Sequence, residues 1–335
     1  MFNQEKIFSI AEIGGNHQGD YRAAKYLVDQ AIETPVDGIK LQLYTGSTLV
    51  NEKQDPQRYK HFQGFELTES QTRSLIDRVK SSNKFVGASI WHESLLKKYG
   101  SECDFLKIGS GDITDLSLVK KVASLNKPLI LSTGMTSIEQ LKEVLGVVEH
   151  LGNENLSILH CKSLYPVHTD ELNLESIVAL EDLSIELDID FQVGYSHHHT
   201  SWQPIIWAVL KGARVLEFHF TSKEFDRMQF RDHHLSLNRE DVFDLFNVLG
   251  DVSRSIGNKE ISLSEAEVST GHSVSFRKAV YVSRDMAKGE VVRDDDLVCL
   301  RPLRGICASK RGAILGKIVK KEVKAFDVLS WEDFE

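Results

Sequence analysis

Short β-rich runs alternate with longer helical patterns along most of the chain. Eight runs have the length and composition of buried strands: 7–13, 37–43, 85–90, 104–109, 128–132, 156–160, 190–194 and 214–220. Each is followed by a segment with the apolar spacing of a helix that buries one face: 20–33, 68–82, 91–99, 115–125, 136–150, 173–187, 202–212 and 238–256. Eight strand–helix pairs predict an α/β fold, and their number favours a (β/α)8 TIM barrel over an open doubly wound sheet.

Two stretches depart from this alternation. Residues 44–67 form a long connection with little periodicity, which predicts either a lid or binding loop or a surface excursion without function. Near residue 260 the chain turns polar and then gives three short strand-like runs, at 278–284, 291–302 and 312–329. We therefore expect a barrel domain, a linker and a small, mostly-β domain, over 1–260, 261–276 and 277–335.

Composition narrows the classes of function. The formal net charge is −9 over 335 residues, which argues against nucleic acid as a partner because phosphate backbones require a basic surface. Four scattered cysteines without a CxxC pair are typical of a reduced, intracellular protein. The chain shows no signal-peptide pattern and no apolar run near the roughly 20 residues that cross a bilayer. We expect a cytoplasmic protein without a membrane partner.

Polar residues collect where the predicted strands end, which is the active-site face of a (β/α)8 barrel. Period-two alternation places Lys40 and Gln42 on the inward face of one strand, and Glu217 and His219 on the inward face of another. Inward lysines with nearby serines suit an anionic ligand, and histidines at strand ends suit a divalent metal such as manganese. No P-loop and no GxGxxG motif follows a strand, so nucleotide chemistry has no support.

Seven motifs then occur in a familiar order. They are AEIGGNHQGD at 11–20, KIGSGD at 107–112, ILSTGM at 130–135, LHCKSLYP at 159–166, LEFHFT at 216–221, RDHHLSL at 231–237 and MAKGEVVRDDDLVCLRP at 286–302. Together they resemble the sialic acid (N-acetylneuraminate) synthase family of nonulosonic acid synthases. The last motif resembles the C-terminal antifreeze-like (SAF) domain of that family, so the resemblance covers essentially the whole chain.

The resemblance implies an activity. Family members join phosphoenolpyruvate to an N-acetylmannosamine-type aldehyde, add water, and release phosphate and a nine-carbon 2-keto sugar acid. They need a divalent metal, Mn²⁺ or Mg²⁺, and form domain-swapped homodimers in which the small domain of one chain closes the barrel of the other. The acceptor stays open among N-acetylmannosamine and the precursors of legionaminic and pseudaminic acid. Two alternatives remain: a phosphoenolpyruvate-dependent synthase acting on a different aldose, and a non-catalytic sugar-binding relative.

The resemblance also carries over site residues, motif by motif. Residues matching the phosphoenolpyruvate site are Lys40, Ser89 (where threonine is usual), Lys107, Ser110, Ser132, Ser163 and Ser196. Those matching the metal ligands are His198 and His219. Those matching residues at the reacting centre and the sugar are Glu12, Gln42, Asp112, Tyr165, Asp232 and Arg301. Glu12 is expected to transfer a proton or to orient His219. Arg301 is expected to reach the sugar, and Arg304 is the alternative residue for that role.

Two segments depart from the family pattern. The segment SHHHT at 196–200 stands where Ser-Asp-His-Thr is usual. This departure leaves open which ring binds the metal, and whether His197 is a third ligand or an inert surface residue. The segment ASIW at 88–91 stands where relatives read more like Ser-Thr-Pro-Phe.

Overall fold

The structure, a computed structural model, describes residues 1–2, 6–153, 155–225, 230–258 and 260–335. The chain forms two compact units, one over 1–256 and the other over 257–335. None of the helices in these described ranges is both long and apolar enough to cross a membrane.

The first unit is built on eight parallel strands that close into a barrel in chain order. The strands are β1 (Phe8–Ile13), β2 (Gly38–Leu43), β3 (Phe85–Ile90), β4 (Phe105–Ile108), β5 (Leu129–Ser132), β6 (Leu156–Cys161), β7 (Gln192–His197) and β8 (Val215–His219). β1 pairs with β8 and so closes the ring. The predicted TIM barrel is therefore confirmed.

Helices follow the strands and cover the outside of the barrel. They are α1 (Tyr21–Ile32), α2 (Gly46–Leu49), α3 (Pro56–Gln63), α4 (Glu69–Lys80), α5 (Glu93–Tyr99), α6 (Leu116–Ala123), α7 (Ile138–His150), α8 (Glu175–Leu187), α9 (Gln203–Leu210) and α10 (Arg239–Ile256). Polar caps fix several of their first turns. For example, the Thr68 and Ser137 side chains accept hydrogen bonds from the third backbone N–H of α4 and α7.

The connection 44–67 contains regular structure that the sequence pattern did not predict. Thr45 caps the four-residue helix α2, and Asp55 caps α3, which has Pro56 in its first turn. Proline is favoured there because its fixed φ suits a helix start and its missing N–H is not needed. The connection is therefore two short helices and not an irregular loop.

The barrel interior is layered from apolar to polar. Its lower part is filled by a separate cluster of buried apolar side chains: Phe8, Ile10, Phe105, Ile130, Leu159 and Val215. The rings of Phe8 and Phe105 meet edge to face with centroids 6.0 Å apart. Gly87 belongs to this layer, because a Cβ atom there would overlap the Phe105 ring. Closer to the C-terminal ends of the strands most inward side chains are polar, which places the chemistry above an apolar floor.

Residues of opposite parity on the same strands face the helices. Ile39 and Leu41 on β2, and Leu216 and Phe218 on β8, belong to the large core cluster between sheet and helices. These are the outward positions that the alternation predicts. Burial of this apolar layer is the main stabilising contribution to the first unit.

The second unit has its own small core around an antiparallel pair, β9 (Ala279–Val282) and β10 (Leu297–Leu300). The third predicted run, 312–329, forms isolated bridges instead of a continuous strand. Examples are the bridges of Ile318 with Val291 and of Val323 with Met286. The stretch predicted as a linker contains two short helices, α11 (Glu265–Ser269) and α12 (His272–Ser275). The small unit is thus held more by turns and bridges than by a continuous sheet.

Candidate active site

A cavity of about 580 Å³ opens at the C-terminal ends of the barrel strands. Most of the predicted site residues line it: Glu12, Gln42, Ser89, Lys107, Ser110, Asp112, Ser163, Tyr165, Ser196, His198, His219 and Asp232. They come from different strands and loops far apart in sequence. The closed barrel brings them together because parallel strands present all their C-terminal ends at one face.

Three predicted residues do not line this cavity. Lys40 is fully buried and donates a hydrogen bond to Ser89 Oγ at 2.7 Å, so it acts on the cavity through its neighbours. Ser132 is buried on β5, and its hydroxyl has no hydrogen-bond partner among the described residues. Arg301 belongs to the second unit, where its guanidinium lies 5.8 Å from the centre of the Phe276 ring.

Four buried side chains of alternating charge lie in a row at the bottom of the cavity, above the apolar floor. Lys40 is ion-paired with Glu12, and its Nζ atom lies 3.8 Å from Glu217 Oε2. Glu217 is in turn ion-paired with Lys107 through Oε1, which also accepts a hydrogen bond from Ser196 Oγ at 3.2 Å. The result is a continuous row, Glu12–Lys40–Glu217–Lys107, from β1 to β4, which we call the charge row.

The lysines of the charge row keep its two carboxylates ionised. Burial raises the pKa of Glu12 and of Glu217, but the charges of the neighbouring lysines outweigh burial and leave both pKa values lowered. Burial lowers the pKa of Lys107, yet the carboxylate of Glu217 outweighs it and raises the pKa above the usual value. The polar layer is thus charged but balanced.

Glu217 is a site residue that the sequence reasoning missed. The alternation on β8 placed it inward with His219, but no role was assigned to it. Its Oε2 atom lies in the cavity wall close to the Lys40 amine and has no hydrogen-bond partner in the described part of the chain. Cys161 was also missed: it lines the cavity, with Sγ 3.8 Å from His198 Nδ1.

Two serines converge on one backbone position beside Lys107. Gly134 N donates a hydrogen bond to Ser110 Oγ at 3.1 Å. A Cβ atom on Gly134 would overlap the hydroxyls of both Ser110 and Ser163, so only glycine leaves this space open. Together with Lys107 and Ser196, these groups form a concave set of one cation and several hydroxyl donors. Such a set is suited to a phosphate or carboxylate.

The rings of His198 and His219 lie next to each other in the cavity wall, with centroids 5.2 Å apart. His198 Nδ1 hydrogen-bonds with the Lys162 carbonyl at 2.7 Å, and His219 Nδ1 makes a 2.7 Å ion-pair contact with Glu12 Oε2. Metal-binding histidines are oriented in this way, by a carbonyl or carboxylate on the other ring nitrogen. The two rings therefore fit a divalent cation through Nε2.

The protein supplies little else for such a cation. Across the described ranges there is no group of three or more His, Cys, Asp or Glu side chains arranged to hold a metal. A cation between His198 and His219 would therefore be completed by water and substrate oxygens, which manganese and magnesium accept.

The three consecutive histidines have separate environments. His198 lines the cavity. His197 is fully buried on the outward side of β7, so the expectation of an inert surface residue is wrong. The strand continues as far as His197, which pairs with Phe218, and this turns its ring towards the helices. His199 hydrogen-bonds with Thr169 Oγ1 at 3.2 Å. Neither flanking ring lines the cavity.

Tyr165 joins the histidine side of the cavity to its rim. Its ring lies 4.1 Å from the His198 ring and carries the Arg231 guanidinium 4.5 Å from its centre. Arg231 is also ion-paired with Asp232, whose carboxylate lies 3.2 Å away. Burial raises the pKa of Tyr165, so its phenol stays protonated and can donate a hydrogen bond.

The opposite rim is aromatic. Tyr44, Phe62 and Trp91 line the cavity as a row of rings beside Asp112. Burial, with a smaller effect of Asp115, raises the pKa of Asp112 to about 7, although a hydrogen bond from Trp91 opposes the shift. Asp112 can therefore accept or donate a hydrogen bond near neutral pH.

Fold and site together define a (β/α)8 enzyme whose cavity suits an anionic ligand at its floor. The chain belongs to the NeuB family, whose sequence profile matches residues 27–261, and the SAF domain profile matches residues 277–335. Relatives that match most of its length are synthases of the nonulosonic acid class, and the chain is an enzyme of that class.

Individual relatives span nearly the same length. The N,N'-diacetyllegionaminic acid synthase of Campylobacter jejuni is 32% identical over 342 residues, covering 97% of this chain and 99% of the relative. The N-acetylneuraminate-9-phosphate synthase of Homo sapiens is 30% identical, covering 88% of this chain and 83% of the relative. The crystal structure of a putative spore coat polysaccharide biosynthesis protein E from Chromobacterium violaceum has the same fold. Its TM-score is 0.79 at 24% identity, with coverage of 98% and 100%.

Proposed function

We propose that this enzyme condenses phosphoenolpyruvate with the aldehyde of an N-acetylated, mannosamine-type amino sugar. Water adds in the same reaction, and the products are a nine-carbon 2-keto sugar acid and phosphate. One observation carries the proposal: a single cavity holds a lysine–serine cradle on one side and two inward-facing imidazoles on the other. The relatives that make N,N'-diacetyllegionaminic acid and N-acetylneuraminate 9-phosphate support the same reaction class.

Phosphoenolpyruvate occupies the cradle in this proposal. Lys107 offers a buried cation, and Ser110, Ser163 and Ser196 offer hydroxyl donors to the phosphate and carboxylate oxygens. The charge row holds Lys107 in place before the ligand binds. Groups fixed in advance cost no reorganisation at the moment of reaction.

The reaction then needs one carbon–carbon bond and one water. C3 of phosphoenolpyruvate bonds to the aldehyde carbon, and the C2 cation that results takes up water. The bond from C2 to the phosphate oxygen breaks, so phosphate leaves and C2 becomes the keto carbon. Glu12 lines the cavity with its carboxylate ionised, and it relays one proton of the water to the alkoxide oxygen that forms from the aldehyde, while the other proton leaves with the phosphate. Gln42, Asp112, Tyr165 and Asp232 hold the sugar hydroxyls.

A divalent cation, manganese or magnesium, held by His198 and His219 supplies Lewis acidity towards the aldehyde carbonyl when bound. The protein's own part is to fix both rings. The Lys162 carbonyl and Glu12 hold the Nδ1 atoms, so each ring keeps its orientation.

We further propose a domain-swapped homodimer, in which Arg301 of one chain reaches the acceptor in the barrel of the other. The resemblance of the second unit to the SAF domain supports this arrangement. A guanidinium suits a multidentate grip on sugar oxygens. The cytoplasmic location stays a prediction.

The direct test is an assay of the purified enzyme with phosphoenolpyruvate, Mn²⁺ and either N-acetylmannosamine or a diacetamido-trideoxy hexose. Phosphate and 2-keto acid are measured together, because this reaction forms them in equal amounts. His219→Ala is expected to abolish turnover. His199→Ala is the matched control, since its ring does not line the cavity, and it is expected to remain active.

Two results would overturn the proposal. Phosphate release without 2-keto acid would indicate simple hydrolysis. Equal turnover by chelator-treated and Mn²⁺-loaded enzyme would exclude the cation from the reaction.

A further inference from the structure

An aromatic wall closes the cavity on the side of β2 and β3. Trp91 directly follows β3, and its ring centroid lies 5.0 Å from that of Tyr44, which directly follows β2. Tyr44 in turn meets Phe62 of α3 edge to face, with centroids 5.3 Å apart. All three side chains line the cavity, as do the nearby aliphatic residues Leu49 and Val50. We call Tyr44, Phe62 and Trp91 the aromatic wall.

Trp91 is fixed at two edges. One side of its ring packs on Tyr44, and its indole Nε1 lies beside the Asp112 carboxylate. A Cβ atom on Gly109 would lie 3.5 Å from Trp91 Nε1 and 3.6 Å from Asp112 Oδ2, so glycine there leaves the two groups close together. Because the polar edge of the indole is turned towards Asp112, what Trp91 offers a ligand is chiefly its apolar ring face.

The cavity therefore has two walls of different chemistry. Lys107 and the serines form a charged, hydroxyl-rich wall, while Phe62 and Trp91 present mainly ring carbon to the cavity. An apolar wall favours ligand carbon because burying a methyl group removes apolar surface from water. It disfavours a hydroxyl, which would lose its water without gaining a partner.

We propose that Trp91 is the specificity-determining residue of the acceptor subsite, and that the aromatic wall takes a methyl group of the acceptor. This inference rests on the proposed function and narrows its acceptor. Two positions on an N-acylated amino sugar can supply the methyl: the N-acetyl group and the terminal carbon of a 6-deoxy sugar. Both present the same chemistry to the wall, and suitable analogues separate them.

The test compares matched acceptors that differ by one hydroxyl group. N-acetylmannosamine against its 6-deoxy analogue probes the terminal carbon, and N-acetyl against N-glycolyl mannosamine probes the acyl methyl. Each is assayed for phosphate release with wild type, Trp91→Phe and Trp91→Ala. Trp207→Ala is the control for loss of a tryptophan, because Trp207 lies on α9, is 42% exposed and does not line the cavity.

We expect wild type to prefer one methyl-bearing acceptor of these pairs by about tenfold or more in kcat/KM, which is the usual range for such discrimination. Trp91→Ala should remove that preference by raising the KM of the acceptor, with the KM of phosphoenolpyruvate unchanged. Trp91→Phe should retain it, because phenylalanine keeps the apolar face. The pair that responds identifies which methyl is bound.

Two outcomes are separable. If wild type releases phosphate but the preference survives in Trp91→Ala, or is absent in wild type for both pairs, this inference is wrong and the proposed function stands. If wild type releases no phosphate with any acceptor, including the diacetamido-trideoxy hexoses, the proposed function itself fails.

Discussion

At the scale of single residues, the charge row makes its four members depend on one another. Glu217 lies between Lys40 and Lys107 and is 3% exposed. Removing one partner of a buried pair leaves the other charge without water or a counter-ion, which typically costs about 3–5 kcal/mol. An anionic ligand in the cradle would replace the lost counter-charge. Ligand binding and stability should therefore be linked at this position.

Glu217→Gln tests that link. We expect the free variant to lose about 3 kcal/mol of stability, because both lysines lose a carboxylate. We also expect phosphoenolpyruvate to raise its melting temperature more than that of wild type, since the ligand meets less negative charge. Thermal unfolding with and without ligand measures both effects. Glu186→Gln is the control, because its ion pair with Lys142 is at the surface and should contribute little. A ligand-induced rise equal to that of wild type would contradict the expectation.

Asp112 gives a second prediction, on pH. Its pKa rises from 3.8 to about 7 on folding, first through burial and then through Asp115. The folded state then binds more protons than the unfolded state between these values, so this group's contribution to stability falls as pH rises through that window. The side chain of Asp112→Asn cannot ionise, so the variant does not lose this contribution to stability as pH rises. Its amide oxygen can still accept a hydrogen bond from Trp91.

The measurement for Asp112 is the melting temperature of variant and wild type from pH 4 upwards. The variant should gain a few degrees relative to wild type by about pH 7 and then hold a constant difference, since about 1 kcal/mol shifts a protein of this size by 2–4 °C. A difference that does not change with pH would show that Asp112 stays ionised.

At this scale, the alternation of inward and outward positions along the strands located most of the site residues, but it did not show the role of each one. It placed Glu217 inward with His219, yet a carboxylate beside an anion site has no evident purpose until Lys40 is seen between the two glutamates. The polar run around His197 reads as a loop or as surface. Only the register with β8 shows that the strand continues and buries the ring.

At the scale of elements, long strands and helices were predictable and short ones were not. Periodicity needs a window of about 11–18 residues, so the four residues of α2 and eight of α3 gave no usable signal. Their caps, Thr45 and Asp55, were visible in the sequence but are common in loops as well. The contact of Phe62 with Tyr44 depends on tertiary structure, which no local pattern encodes.

The apolar floor of the barrel predicts the effect of one added carbon. Gly87→Ala should destabilise the protein by about 1–3 kcal/mol, because its Cβ atom would overlap the Phe105 ring in a packed layer. Gly146→Ala is the matched control: it lies in α7 with nothing within 4 Å of the new atom. That change should raise stability by about 0.5–1 kcal/mol through helix propensity. Denaturant unfolding of both variants measures the difference, and equal effects would contradict the layered packing.

At the scale of the whole molecule, the two units differ in how far sequence could predict them. The barrel repeats one strand–helix pattern eight times, so each repeat supports the others. The second unit has a small core of its own and only short pairings, such as Val319 with Phe334. The run 312–329 has a strand-like composition because Ile314, Val319, Val323 and Leu329 are buried in this small core, although the run forms isolated bridges and not a continuous strand.

The proposed domain swap predicts complementation between inactive chains. Arg301→Ala and His219→Ala should each lower turnover sharply, while Arg304→Ala, the rival arginine, should not. When the two inactive proteins are unfolded together and refolded, mixed dimers should regain activity. In a swapped dimer the barrel of the Arg301→Ala chain receives an intact Arg301 from its partner, so one complete site forms. Absence of recovery, with dimers present by light scattering, would place Arg301 and His219 in the same chain's site or remove Arg301 from the site.

The apolar floor around Phe8 and Phe105 also determines how substrates can enter and leave the cavity. Among the described residues it closes the inner end of the cavity, with Lys107 near that end and Trp91 further out, directly after β3. Whatever binds at the entrance blocks passage for whatever binds behind it. We therefore expect phosphoenolpyruvate to bind before the sugar. An excess of sugar should inhibit turnover because it blocks access for phosphoenolpyruvate, whereas an excess of phosphoenolpyruvate should not inhibit.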